Sequence, residues 1–311
     1  MTEPTTPPAT AEVAPDPAVP DGPAVPDGPV VPDRPAAPGT AARTADAAWD
    51  PRQYAVFAGH RGRPFADLLA RVDAEAPGLV VDLGCGPGEL TVGLAQRWPE
   101  ARIVGVDSSP EMLERARALD TDGRVEWVES TAEDWDPTES GGAVDVLVTN
   151  ATLQWVPSHL RLIPAWLRSL SPGGTFAMQV PANFDAPSHR LMREVAARHP
   201  RADDLRPGLD RAQAVARPAT YAALLLDRTA DVDVWQTTYQ HVLTSEAGGP
   251  HPVLEWVRGT GLRPVLGVLD GDERDAFVAD YERELETAYP RRSFGVLFPF
   301  TRTFAVARTA R

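Results

Sequence analysis

Val80–Gly88 reads VVDLGCGPG, a β-branched apolar run that ends on an acid and then on three glycines spaced two apart. Glycine lets a backbone turn sharply and approach a ligand with no Cβ between them. A helical pattern, Glu89–Trp98, follows at once. Strand, tight glycine loop and helix together form the cradle of an anionic or nucleoside ligand. The next strand pattern, Arg102–Asp107, ends on Asp107 about 20 residues past the glycines, where a carboxylate can accept from both ribose hydroxyls.

The same rhythm continues outward from this pair. Leu79–Leu83, Arg102–Asp107, Val125–Glu129, Val144–Thr149 and Thr175–Val180 read as strands. Glu89–Trp98, Pro110–Leu119 and His159–Leu170 read as helices between them, and Ser171–Gly174 (SPGG) breaks the chain before the fifth strand. Residues 182–218 look irregular or short-helical. A helix at Ala219–Asp227, a strand at Asp231–Leu243, helices at His251–Gly259 and Gly271–Tyr289, and a strand at Pro299–Arg308 complete the chain. The expected fold is α/β: a Rossmann-like, doubly wound, seven-stranded, mostly parallel sheet with an antiparallel last strand and a helical cap. The domain is expected to span 48–311. Within it, 48–77 is an N-terminal cap segment, and 182–218 and 248–292 are insertions that cap the substrate.

Residues 1–47 differ from the rest. They hold about a dozen prolines and a near-repeat, Ala18–Pro23 (AVPDGP), Ala24–Pro29 (AVPDGP) and Val30–Pro35 (VVPDRP). With little to bury, this segment is expected to be a disordered tail. It carries about −5 of the chain's net charge of −14. An acidic surface argues against nucleic acid as a partner. No apolar run reaches the ~20 residues of a membrane helix, and no secretory pattern opens the chain. One cysteine, Cys85, fits a reducing interior. The expectation is a cytoplasmic, monomeric protein without a membrane partner.

The loop itself narrows the ligand. A dinucleotide site needs a third glycine where this chain has Glu89, and a carboxylate there repels pyrophosphate. S-adenosylmethionine has no phosphate, and Asp82 suits its cationic end. The expected cofactor contacts are Asp82, Gly84, Cys85 and Gly86 in the loop, with Asp107 and Ser108 at the ribose. Thr131 and Ala132 flank the adenine, and Asn150 and Gln154 hold the methionine end. Trp155 faces either the methionine or the substrate, or else packs as a core aromatic. Cys85, between two ligand-facing glycines, reads as a small core side chain rather than a nucleophile. The six histidines have no metal-ligand spacing, so no metal is expected.

Taken together, the chain from Trp49 to Arg308 resembles the trans-aconitate 2-methyltransferase family. The likeness is carried by Trp49-Asp50-Pro51 with Tyr54 and Phe57, by Arg61 and Arg63-Pro64, and by Ala151–Trp155 (ATLQW). It continues in Leu191–Ala196 (LMREVA), Thr237-Thr238-Tyr239 with His241, Thr260–Pro264 (TGLRP), Tyr289-Pro290 and Arg302. The chain departs from the family at His60 and Thr131, where the family carries acids, and Pro181–Phe184 (PANF) matches loosely. The resemblance implies methyl transfer to one carboxylate of a small polycarboxylic acid, giving a monomethyl ester. A carboxylate is already ionised at neutral pH, so no catalytic base is expected and positioning does the work. An acid with up to three charges needs arginine forks and hydroxyl donors. Trp49, Tyr54, Arg61, Trp155, Tyr239, Arg263, Tyr289 and Arg302 are the expected substrate contacts, with Arg263 and Arg302 first. The alternatives are another small acid or a natural-product hydroxyl as acceptor, a cofactor-binding protein without catalysis, and a dinucleotide oxidoreductase.

Overall fold

The computed structural model describes residues 62–209, 214–244 and 248–311, all within the compact unit Trp49–Arg311. The Pro-rich segment, Trp49, Tyr54 and Arg61 lie outside the described residues.

Seven strands form one sheet in the order β3-β2-β1-β4-β5-β7-β6. They are β1 (Leu79–Leu83), β2 (Arg102–Asp107), β3 (Val125–Glu129), β4 (Val144–Asn150), β5 (Leu170–Pro181), β6 (Asp231–Leu243) and β7 (Val296–Arg308). β1 pairs in parallel with both β2 and β4, and all five of its side chains are buried, the carboxyl of Asp82 among four apolar ones. The winding reverses between β1 and β4, and ligands bind beyond the carboxyl ends of strands at such a switch. β7 enters between β5 and β6, antiparallel to both. The sequence reading of a mixed sheet with an inserted antiparallel last strand agrees with this topology.

Helices α1 (Gly62–Leu69), α2 (Glu89–Arg97), α3 (Pro110–Leu119), α4 (His159–Arg168), α5 (Pro187–Arg198), α6 (Ala202–Leu209), α7 (Pro218–Leu226), α8 (Pro252–Arg258), α9 (Arg263–Leu266) and α10 (Gly271–Ala288) surround the sheet. On one face Val81, Leu83, Leu147, Phe176 and Met178 pack against Ile163 and Trp166 of α4 and Tyr221 and Leu225 of α7. On the other, Val80, Val146, Val148, Ala177 and Phe304 pack against Phe65, Leu68 and Leu69 of α1 and Leu94 of α2. A third cluster joins α5, α6, α8, α9 and α10 to the amino-terminal half of β7 through Met192, Leu205, Val257, Val265, Phe277, Tyr281 and Phe298.

Two local readings differ from the structure. Ser171–Gly174 lies inside β5 rather than ahead of it. The left-handed Gly173 (φ 76°) and a register shift between Val144 and Val146 take up the irregularity, and Thr309 N–H donates to Gly174 O at 2.9 Å. The stretch 182–218 holds two helices, α5 and α6, whose apolar positions join the cluster formed with α8, α9, α10 and β7.

The indole of Trp127 on β3 lies over a slot left by two glycines. A Cβ on Gly105 would stand 2.6 Å from its ring, and one on Gly88 2.7 Å. The indole N–H donates to Asp120 at 3.3 Å. Gly105→Ala should therefore cost about 1–3 kcal/mol by overpacking. The double variant Gly105→Ala/Trp127→Leu should recover part of that loss in chemical denaturation, and strictly additive effects would show that the slot is not shared.

Candidate active site

The glycine loop is held at three points. Gly84 and Cys85 N–H both donate to Val106 O, at 2.7 and 3.0 Å, and Thr152 Oγ1 donates to Gly84 O at 3.2 Å. Gly86 N–H donates to Asp107 Oδ2 at 2.9 Å. Gly84 (φ 82°) has no room for a side chain, since its Cβ would stand 2.1 Å from Thr152 Oγ1. Gly86 (φ 57°) is the opposite case: a Cβ there would meet nothing within 4 Å, so open space lies over the loop. Asp107 Oδ1 accepts from Ser109 N–H at 2.9 Å, which leaves further lone-pair positions on both oxygens. Ser109, not the exposed Ser108, caps α3, accepting from Met112 N–H at 3.3 Å.

Asp82 is buried behind the loop and accepts from the Thr91 hydroxyl at 2.7 Å. Burial pushes its pKa up to about 7; the Thr91 bond opposes the rise and the nearby charge of Asp107 adds to it. Cys85 is buried too, its thiol donating weakly to Gly86 O at 3.7 Å. Burial, with Asp82 and Asp107 beside it, pushes that thiol far above its ordinary range, so it stays protonated and inert.

The flanking loops come to the same sheet edge. After β3, Thr131 turns its hydroxyl to its own loop, donating to Asp134 Oδ2 at 2.8 Å and accepting from Asp134 N–H at 3.0 Å. Ala132 packs against the core, and Ser130 N–H donates to Asp107 O at 3.1 Å, fixing this loop to the end of β2. After β4, Ala151 adopts the left-handed conformation (φ 56°), which costs a non-glycine residue about 1 kcal/mol or more. Its N–H donates to Gln179 O, and its carbonyl accepts from Gln154 Nε2 at 2.6 Å. Asn150 Oδ1 and Gln154 Oε1 are buried without a hydrogen-bond partner among the described residues. Trp155 is 51 % exposed and is therefore not a core aromatic.

Strand register then sets a row of polar side chains. Side chains on a strand alternate between faces, and paired residues share one. Asp82 pairs with Val148, Asn150 pairs with Gln179, and Arg302 lies two residues before Phe304, the partner of Gln179. Asp82, Asn150, Gln179 and Arg302 thus follow one another along the face that α1 covers. Arg302 is 6 % exposed; its Nη1 donates to Gln179 Oε1 at 3.1 Å and its guanidinium lies 4.7 Å from the Phe300 ring centre. Gln179 is fully buried, and its Nε2 has no hydrogen-bond partner among the described residues. Tyr239, on the same face, donates to Asp67 of α1 at 2.6 Å, and Arg63 lies over its ring. Burial first, and Asp67 second, hold the Tyr239 hydroxyl protonated well above its usual range.

The remaining expected contacts stand in the helical layer. Tyr289 is buried after α10, its hydroxyl accepting from Ser188 N–H at 3.0 Å. Arg263 is exposed as the first residue of α9. The sheet-edge row thus brings Arg302 and Tyr239 onto one face with Asp82 and Asn150, whereas Arg263 and Tyr289 belong to the α5–α10 layer. Gln179 and Asp67 were not anticipated. Gln179 does leave a signal, as the one polar side chain within the apolar run Phe176–Val180. Asp67 leaves none, because its role depends on where α1 docks.

Comparison with known proteins places this geometry. A family model described as a methyltransferase domain matches residues 80–174. The chain is 53 % identical over 268 residues to trans-aconitate 2-methyltransferase of Streptomyces coelicolor, covering 84 % of this chain and 86 % of that one. It is 50 % identical over 266 residues to the enzyme of the same name from Streptomyces avermitilis, covering 84 % and 96 %. The chain belongs to the trans-aconitate 2-methyltransferase family. Among solved structures, a Bacillus halodurans protein considered a methyltransferase superposes with a TM-score of 0.50 at 14 % identity, covering 80 % of this chain and all of that one, a likeness of fold alone. The cofactor of this methyltransferase is S-adenosylmethionine, and the residues present fit it: open space over Gly86, buried acceptors at Asn150 and Gln154, and an acid at Asp82. No helix among the described residues is long and apolar enough to cross a membrane.

A carboxyl group whose folded pKa is raised to about 7 stabilises the fold below its unfolded value near 4, and that contribution is lost as pH rises through about 7. A cationic donor reverses the balance, because it favours ionised Asp82. Donor affinity should therefore weaken up to about tenfold as pH falls from about 8 to about 6. Calorimetric titration of wild type beside Asp82→Asn checks this; an equal pH dependence in both would remove Asp82 from the donor site.

Proposed function

We propose that this enzyme methylates one carboxylate of trans-aconitate, forming a monomethyl ester. Arg302 is the observation that carries the substrate side of the reading. It is a buried guanidinium at the sheet edge, in one row with Asn150 and Asp82. Such a group suits a carboxylate, which its fork binds bidentately. The names of relatives at 50 % and 53 % identity supply the particular acid.

In this reading Gly84, Cys85, Gly86, Asp107 and Ser108 hold the nucleoside by backbone and ribose contacts. Thr131 and Ala132 border the adenine, and the backbone of Ala132 reads it, since Thr131 is engaged with Asp134. Asn150 and Gln154 accept from the ammonium, and Asp82 balances the positive charge. When bound, the cofactor supplies a methyl group on a sulfonium; transfer to the carboxylate oxygen leaves a neutral thioether and an ester. The protein needs no base, because the carboxylate arrives ionised. Its task is to orient that oxygen and keep water out. Arg302 grips the acid; Tyr239, whose hydroxyl is given to Asp67, lines the site with its ring, and Trp155 stands at the mouth. Arg263 and Tyr289 of the cap stretch 248–292, with Trp49, Tyr54 and Arg61 of the N-terminal cap segment, complete the proposed substrate contacts, and 182–218 is the second cap stretch. A cytoplasmic monomer with no nucleic-acid partner completes the proposal, supported by the acidic charge and the single cysteine.

A product mass spectrum with trans-aconitate, cis-aconitate and citrate offered side by side should give a monomethyl ester of trans-aconitate above the others. Turnover of a phenol and not of any acid would sink the reading. Arg302→Gln should raise the KM for the acid by about 2 kcal/mol, some thirtyfold, with the donor Kd unchanged. An unchanged acid KM would move the grip elsewhere.

A further inference from the structure

We propose that Gln179 holds the carboxylate that receives the methyl group, while Arg302 holds a different one, so that Gln179 decides which oxygen reacts. The inference rests on the function proposed above and deepens it.

The orientation of the amide is fixed rather than arbitrary. Arg302 can only donate, so the end of Gln179 that faces its Nη1 at 3.1 Å must be the carbonyl oxygen. The –NH₂ end therefore points away from Arg302. That nitrogen is fully buried and finds no acceptor among the described residues. A buried amide donor left without a partner is costly, and native structures keep few of them outside functional positions. Its neighbour in register, Asn150, presents a buried acceptor in the same state. The two are not bonded to each other, so along the edge an acceptor suited to the cationic donor stands beside a donor suited to an anion. Gln179 is the point where the two binding sites meet.

Charge explains why a neutral amide belongs there. In the transfer the attacking oxygen starts with negative charge and ends as a neutral ester. A full cation on that oxygen would stabilise the ground state more than the transition state, and so slow the reaction. A neutral N–H orients the oxygen at a smaller cost. The guanidinium of Arg302 is free of that conflict if it binds a carboxylate whose charge persists throughout. Gln179 ties the two together, because the same side chain that accepts from Arg302 donates to the reacting group.

The test uses the full-length enzyme and Gln179→Met, which keeps the volume and removes the N–H. Turnover of trans-aconitate, the isomer ratio of the monomethyl esters by NMR, and calorimetric binding of trans-aconitate to the S-adenosylhomocysteine complex are measured together with Tm. The expected result is a kcat lowered at least about tenfold and a mixture of ester isomers, with donor Kd and Tm within about twofold and a few degrees of wild type. Gln179→Asn, which keeps the amide but retracts it, should also lose isomer selectivity, and it serves if the methionine variant does not fold. A single ester at wild-type kcat overturns the inference. So does loss of donor binding, which would assign Gln179 to the cofactor, or a rise in acid KM alone, which would make it only a prop for Arg302. If wild type leaves trans-aconitate untouched but methylates another acid of the panel, the proposed substrate fails, and the isomer test of Gln179 is run on that acid.

Discussion

The antiparallel entry of β7 between β5 and β6 is the constraint on which the site depends. Its pairing with both neighbours fixes where each β7 side chain stands along the edge. Run in reverse, β7 sets Arg302 opposite Pro181, two residues beyond Gln179, on the face shared with Asn150 and Asp82. The buried cation is thus fixed by backbone pairing on both sides, which is the most rigid support a fold offers. The same pairing brings Tyr239 alongside, and α1 closes that face through Phe65, Leu68 and the bond from Tyr239 to Asp67.

The donor side has a different kind of support. There the backbone of the glycine loop borders the open space, and side chains shape it. Asp107 is bonded to Gly86 and Ser109, Thr152 to Gly84, and the β3 loop to Asp107 O, so strands β1, β2, β3 and β4 all converge on one loop. Trp127 supports it from beneath, filling the space that glycine leaves.

Much of this was legible in the sequence because periodicity and glycine spacing are local signals. Strands β1, β2, β3 and β6 and helix α3 fall where the pattern put them, and Cys85 is the buried, inert thiol it was read to be. The elements less well read share one cause. Helices α5 and α6 bury their apolar faces against α9 and α10, more than fifty residues on, so neither looks decisively helical alone. α1 is short, and its helical face becomes evident only against the sheet. Arg263 ranked with Arg302 because both belong to the residues that carry the likeness, with Gly261 and Pro264 fixing the backbone around Arg263. Sequence spacing could not tell that one is exposed on α9 and the other buried in β7. Gln179 went unread because one polar residue near a strand end resembles a boundary.

Asp82 also bears on how the loop is joined to the sheet. Its buried carboxyl at the end of β1 accepts from the Thr91 hydroxyl at 2.7 Å, so the strand and the helix that follows the loop are tied behind the glycines by one side-chain bond. Burial raises the pKa of that carboxyl to about 7, so near neutral pH a small change in its surroundings is enough to change its charge. The end of β1 is thus a point in the core whose charge is set by what lies beside it.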